Sequence, residues 1–305
     1  MQLSGLHHVT FIGGAARRTI AFYAGVLGLR LVKLTINYDD PAVYHLYFGD
    51  GLGRPGTLLT AFAWPRADVG RQGNGQFNSV ALRIPEGALA DWIGRLIAAG
   101  VAYSGPTRRF GLQTLSLRDP DGLTLDLVAT PGAPAPATWA GAPLPPETAI
   151  SGLHSVTLWA HEAAPTARFL TETLGMTPAG EAADHVQRFA AGESFVELRD
   201  AHGFWPGAIS RGAVHHAAFR VPDAAAQLAW RERLLAAGLE PTPVRERGYF
   251  QAVYVPEPGG ALFELATDQP GFTIDEPAEQ LGTALQLPPW LEARRAEIVA
   301  ALGDL

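Results

Sequence analysis

Two stretches decide the fold: Ser4-Gly5-Leu6-His7-His8-Val9-Thr10 and Ser151-Gly152-Leu153-His154-Ser155-Val156-Thr157. They match at an offset of 147, and the same offset superposes Leu27-Gly28 on Leu174-Gly175. The chain is therefore an internal repeat, and a repeat must be read before any motif. Further along, Ser79-Val80-Ala81-Leu82-Arg83-Ile84-Pro85 lies over His216-Ala217-Ala218-Phe219-Arg220-Val221-Pro222. Arg109 falls on Arg247 and Asp126 on Glu264.

Local patterning fills in the units. Leu6–Ile12 reads as a strand and Ala15–Leu27 as a helix stopped at Gly28. Strand-like runs follow at Arg30–Asn37, Val43–Phe48 and Gly56–Trp64. A second unit starts with a strand at Phe77–Ile84 and a helix at Glu86–Ala99. It continues with strands near Arg108–Phe110, Gln113–Arg118 and Thr124–Ala129, the last two joined by the Asp119–Gly122 turn. Each unit is strand–helix–strand–strand–strand, and the repeat makes four of them, in an α+β chain. Residues 1–130 form the first pair of modules. A Pro- and Ala-rich linker spans 131–149, the second pair spans 150–270, and 271–305 is an extension with a short helix at Trp290–Leu302.

Composition narrows the chemistry. At 305 residues, 47% hydrophobic and 17% charged, the chain is globular. A net charge of −7 argues against nucleic acid or an anionic membrane as the main partner. No apolar run reaches membrane-spanning length and no signal-like start is seen, so a cytoplasmic location is the expectation. A homo-oligomer is compatible with all of this. There are no cysteines, which excludes disulfides, thiolate zinc sites and cysteine nucleophiles. A metal would need His, Asp, Glu, Tyr, water or backbone oxygen.

The repeat singles out such a site. Alternation along a strand places His8 with Leu6 and Thr10, and His7 with Val9 and Phe11. His216 shares a face with Ala218 and Arg220, and His215 lies on the other. In the sister half, Ser155 stands for His8, Ser79 for His216 and Asp126 for Glu264. Two hydroxyls and an acid make a poor transition-metal site. The expectation is a live site of His8, His216 and Glu264, with a degenerate copy elsewhere. His7 has His154 as its counterpart, which favours a supporting role over ligation. Two imidazoles and one carboxylate leave open positions for substrate and oxygen. That suits Fe(II), with Mn(II) as the alternative; zinc would favour hydrolysis.

The four-module layout resembles the vicinal oxygen chelate superfamily (glyoxalase/bleomycin-resistance/extradiol dioxygenase) over residues 4 to about 270. In that fold, paired modules curve their mixed sheets into cups around a metal. The opening His7-His8-Val9-Thr10, the His215-His216 pair and Glu264 resemble the ring-cleaving hydroquinone dioxygenases. The resemblance implies an Fe(II) dioxygenase acting with O2 on a hydroquinone-type or catechol-type aromatic diol. It implies Tyr254, ten residues before Glu264, as the active-site tyrosine, and Arg247, seventeen before it, as the active-site arginine. His7, His215 and Thr10 match supporting positions. Two other readings stay open: a glyoxalase-type isomerase or lyase, for which no second carboxylate ligand is found, and a non-catalytic small-molecule binding protein of the same fold.

Overall fold

The computed structural model describes residues 1–181, 185–303 and 305. Two eight-stranded, curled, mixed sheets carry the fold. In the first, the strand order is Arg245–Glu246, Gln251–Pro256, Leu262–Thr267, Val214–Val221, Leu6–Gly13, Leu58–Ala63, Asp40–Gly49, Arg30–Asn37. In the second it is Thr177–Glu181, Val186–Ala191, Ser194–Asp200, Gly152–Ala160, Gln76–Pro85, Thr124–Thr130, Leu112–Arg118, Tyr103–Arg109. The four-module α+β architecture is thus present.

The sheets cross the halves of the sequence. Each takes one module from either half: the first with the fourth, the second with the third. The reason lies in the strand edges. The first strand of a module pairs in parallel with that module's own last strand, as Leu6–Gly13 does with Leu58–Ala63. Its other edge is left open and must be covered. Val214–Val221 covers it antiparallel, and Gly152–Ala160 covers Gln76–Pro85 in the same way. Local sequence dictates that a partner strand is needed, and tertiary packing selects which.

Between the sheets runs one continuous apolar core. Val9, Phe11, Val80, Leu82, Val156 and Phe219 are all buried there, with Phe263 ringed by Phe77, Phe169 and Phe219. The helix expected at Ala15–Leu27 is an α-turn, Ala16–Ile20, that widens to a π-turn over Ala21–Val26. The sister half does the same at Phe169–Thr173. The extra residue per turn keeps Phe22, Tyr23 and Leu27 buried.

The extension wraps the outer strand of the first module. Gln286 N–H donates to Leu34 O, Thr35 Oγ1 donates to Gln286 O, and the buried Lys33 is held by Asp275 and Glu276. The expected C-terminal helix is a 3-10 turn at Pro289–Arg294 leading into an α-helix at Arg295–Leu302. Among the described residues, no helix is long and apolar enough to cross a membrane.

One buried group outside the site makes acid stability a test of the fold. Burial, then Arg188 and Arg83, push His154 down to about 3, against an unfolded value near 6.5. The folded state therefore binds fewer protons than the unfolded state between those values. The His154 contribution is complete above about pH 6.5 and is lost as pH falls toward 3. Replacing His154 with Leu should flatten the stability–pH slope between pH 4 and 6 by about 1.4 kcal/mol per pH unit, as measured by urea unfolding at several pH values.

Candidate metal centre

Two bulges build the site. Along Leu6–Gly13, the register steps from Leu6↔Phe219 to His8↔Ala218, so His7 is an extra residue. Along Val214–Val221, it steps from Thr10↔His216 to Phe11↔Val214, so His215 is the extra residue. Strict alternation would send His7 and His8 to opposite faces. A bulge breaks that alternation locally and re-aims its side chains. The result is that His7 Nδ1 lies 2.9 Å from His8 Nδ1, and His215 Nδ1 lies 2.8 Å from His216 Nδ1. The second sheet keeps both bulges, at Asn78 and His154. They therefore belong to the fold and not to the metal site alone.

Each bulged histidine holds its neighbour through Nδ1, which leaves both Nε2 atoms pointing inward. His8 Nε2 and His216 Nε2 are 3.2 Å apart. Glu264 Oε2 lies 3.4 Å from the first and 2.9 Å from the second. All three residues are buried, Glu264 completely. Neither Glu264 oxygen is met by a hydrogen bond of normal geometry. Burial alone would raise this carboxyl, but His8 and His216 overcome it and hold it well below its ordinary range. A buried, ionised acid this close to two imidazole nitrogens needs positive charge shared among them, which a divalent cation supplies. The group fits a divalent metal held by two nitrogens and one oxygen. Among the described residues, no other such cluster of His, Asp and Glu is present.

The tautomers follow. A metal-directed Nε2 on His8 requires Nδ1–H, which donates to His7 Nδ1. His7 then carries its proton on Nε2, consistent with its backbone hydrogen bond to Thr267. Burial, then the neighbouring His8, keeps His7 neutral by lowering it well below the ordinary imidazole value. Burial and then His216 lower His215 to about 3.

The Tyr254 strand pairs with the Glu264 strand at Tyr254↔Glu264, and the Tyr254 ring meets His216 edge-on at 5.5 Å. Arg247 Nε donates to the Tyr254 hydroxyl oxygen at 3.2 Å, and Arg247 Nη2 donates to Asp39 at 3.1 Å. Burial, then Glu264, raises Tyr254 above its ordinary value, so it stays a neutral phenol. Its oxygen accepts from Arg247, which leaves its own proton free for the cavity. Burial would lower Arg247, but Tyr254 and Asp39 reverse this and raise it.

Thr10 is the sheet partner of His216, but its hydroxyl bonds away from the cluster. Its Oγ1 is 2.7 Å from Thr60 Oγ1, which is 2.9 Å from His45 Nε2. The structure thus gathers His8, His216, Glu264, His7, His215, Tyr254 and Arg247 at one place. Thr10 joins them through the Thr60–His45 chain.

In front of the cluster is a small cavity, open at its mouth and lined by His8 and His216. Ile36, Phe62 and Phe250 give it apolar walls, and His45 and Tyr47 line it as well. The sequence reading missed these residues. His45 and Tyr47 alternate on Asp40–Gly49 and so share a face. By sheet register their counterparts are Val186 and Arg188, because Phe62↔His45 and Thr60↔Tyr47 correspond to Arg199↔Val186 and Glu197↔Arg188. A six-residue difference in loop length hides this correspondence from the 147-residue offset. The asymmetry that revealed His8 would otherwise have revealed His45 and Tyr47.

The sister site is filled. Glu197 stands where Thr60 does; it pairs with Arg188 at 2.5 Å and Arg109 at 3.0 Å, and accepts from Ser155 Oγ at 3.2 Å. Asp126 accepts from Ser116. An ion-pair cluster thus stands at the positions that correspond to the cavity wall.

Comparison with known proteins agrees with this geometry. The sequence profile of the Glyoxalase/Bleomycin resistance protein/Dioxygenase superfamily matches residues 5–127 and 152–265. The chain is 36% identical to a chlorohydroquinone/hydroquinone 1,2-dioxygenase of Sphingobium indicum, covering 99% of this chain and 97% of that protein. It is 41% identical to the Bacillus subtilis protein named "Putative ring-cleaving dioxygenase MhqO", covering 98% and 95%. A crystal structure of a Bacillus subtilis dioxygenase homologue superposes with a TM-score of 0.95 at 39% identity, over 99% of this chain and 97% of that one. Glyoxalase I from Zea mays shares the fold, with a TM-score of 0.66 at 16% identity over 87% of this chain and 92% of that one. With both halves matched and relatives aligned from end to end, the chain belongs to the Glyoxalase/Bleomycin resistance protein/Dioxygenase superfamily.

Proposed function

We propose that this chain is an Fe(II)-dependent ring-cleaving dioxygenase, with a hydroquinone-type aromatic diol as substrate and a catechol-type diol as the second class. The observation that carries the proposal is the buried His8–His216–Glu264 cluster, whose two histidines line an aromatic-walled cavity. The relatives' names support the same reading. His8, His216 and Glu264 would hold the metal on one face and leave the cavity side open. Bound there, Fe(II) supplies a Lewis acid for a phenol oxygen and a redox route to O2. Mn(II) could fill the same donor set.

The protein's own residues would do the rest. Ile36, Phe62 and Phe250 enclose the ring and exclude water. Tyr254, its oxygen engaged by Arg247, would donate its free proton to a developing oxyanion, and Arg247 would add positive charge from behind. His7 and His215 fix the imidazole tautomers of the ligands, and they are the groups through which a proton could leave the ligand layer. Thr10 would hold the cavity wall through Thr60.

A glyoxalase-type reaction needs no O2. It is less well supported, because the cluster offers a single carboxylate.

The test is anaerobic loading with Fe(II), followed by oxygen-electrode measurements with hydroquinone and catechol. Turnover of a diol with one O2 consumed per ring opened is expected. Stoichiometric metal without turnover of either diol would overturn the proposal. Tyr254→Phe should retain metal and lower kcat by about 10²-fold. Unchanged kcat would remove Tyr254 from the chemistry.

A further inference from the structure

Among the polar groups around the cavity, most are already engaged by the protein. Arg247 and Tyr254 bond each other, with Asp39 closing the network. The Asn37 side chain is tied to Asp39 N–H. Two groups differ. Tyr47 is 3% exposed, and its hydroxyl has no hydrogen-bond partner among the described residues; it is also absent from the fully sealed polar atoms, so it opens on the cavity it lines. His45 spends Nε2 on Thr60. Its Nδ1 likewise has no protein partner and is not sealed.

The two rings lie 4.1 Å apart, centre to centre, on one face of Asp40–Gly49. Tyr47 is braced from behind by Phe272 and Tyr249. His45 is braced by Phe62 and by the Thr60–Thr10 chain. A hydroxyl that opens on the cavity and is not bonded by the protein is available to a ligand bound there. The sister half has Val186 and Arg188 here, and Arg188 is consumed by Glu197. The open polar pair therefore occurs only where the metal cluster does.

We infer that Tyr47 and His45 form the binding point for the substrate hydroxyl remote from the metal. The pair is a specificity determinant for para-diols. The inference rests on the dioxygenase reading for the reaction, but it concerns binding alone. A para-diol can place one oxygen at the metal and carry the other across the ring to this pair. A catechol spends both oxygens side by side at the metal and has none left for this pair. Phenol has no second oxygen at all.

Anaerobic calorimetric titration of the Fe(II)-loaded protein with hydroquinone and with phenol tests this. Wild type should bind hydroquinone more tightly than phenol. Tyr47→Phe removes no internal hydrogen bond, so it should melt normally. It should weaken hydroquinone by about two- to tenfold, the size of one hydrogen bond, and leave phenol unchanged. His45→Leu should narrow the same preference. A Tyr47→Phe protein that keeps the wild-type hydroquinone-to-phenol ratio would overturn the assignment, as would a wild type without preference. Oxygen uptake on the same preparations separates the two ideas. Absence of turnover with any diol sinks the dioxygenase reading. Turnover together with an unmoved ratio sinks only the role of Tyr47 and His45.

Discussion

Replacing Glu264 with Gln should abolish stoichiometric metal binding and the stability that bound metal adds. The two effects have one cause. Glu264 is wholly buried, ionised, and lacks a hydrogen bond of normal geometry. With a cation it is the ligand that balances charge. In wild type, free metal at a hundred times Kd should add about 2.7 kcal/mol to unfolding stability. In the variant that increment should vanish. Thermal unfolding with and without Fe(II) under anaerobic conditions, alongside metal analysis, checks both. A variant that still gained stability from Fe(II) would remove Glu264 from the ligand set. His8→Ala should likewise lose the metal, since it deletes one of only two inward Nε2 atoms.

The second large effect is expected far from the chemistry. Glu197→Ala should destabilise the fold by about 3–5 kcal/mol, because it strands the buried Arg188 guanidinium and releases Arg109. Denaturant midpoints at pH 7 measure it. Removing both charges, with Glu197→Leu and Arg188→Met, should recover most of the loss, since a buried pair is often no better than an apolar filling of the same size. A single variant as stable as wild type would show that the cluster is not sealed. The duplicated half would then have replaced its metal site with something other than a structural plug.

Much of the site was legible because the chain contains its own control. A lone His-His pair on a strand is weak evidence for a metal. The copy with Ser155, Ser79 and Asp126 at matching positions shows which members the fold itself does not require. That comparison separated His8 from His7, whose counterpart His154 is kept; His215 has Asn78 as its counterpart, and only the geometry sets it apart from His216: His8 and His216 converge through Nε2, while His7 and His215 bond to them through Nδ1. The physical reason for the supporting role was not legible. It depends on bulges at His7 and His215, and a bulge is a property of two strands in register, not of one strand's pattern.

His45 and Tyr47 were missed for a related reason. They belong to a strand whose copy is shifted by six residues, so no fixed offset aligns them. Only the cross-strand partners Phe62 and Thr60 identify their counterparts. Periodicity, turn residues and the repeat thus determined four strand–helix–strand–strand–strand modules and singled out the candidate ligands. Those are local and self-comparative signals, carried along the chain itself. Which modules share a sheet was decided by tertiary structure. The open edge of each first strand accepts any antiparallel partner of suitable length, and the choice of the fourth module for the first rests on packing across more than 200 residues. That choice brings His8 to His216 and Glu264, and so creates the site.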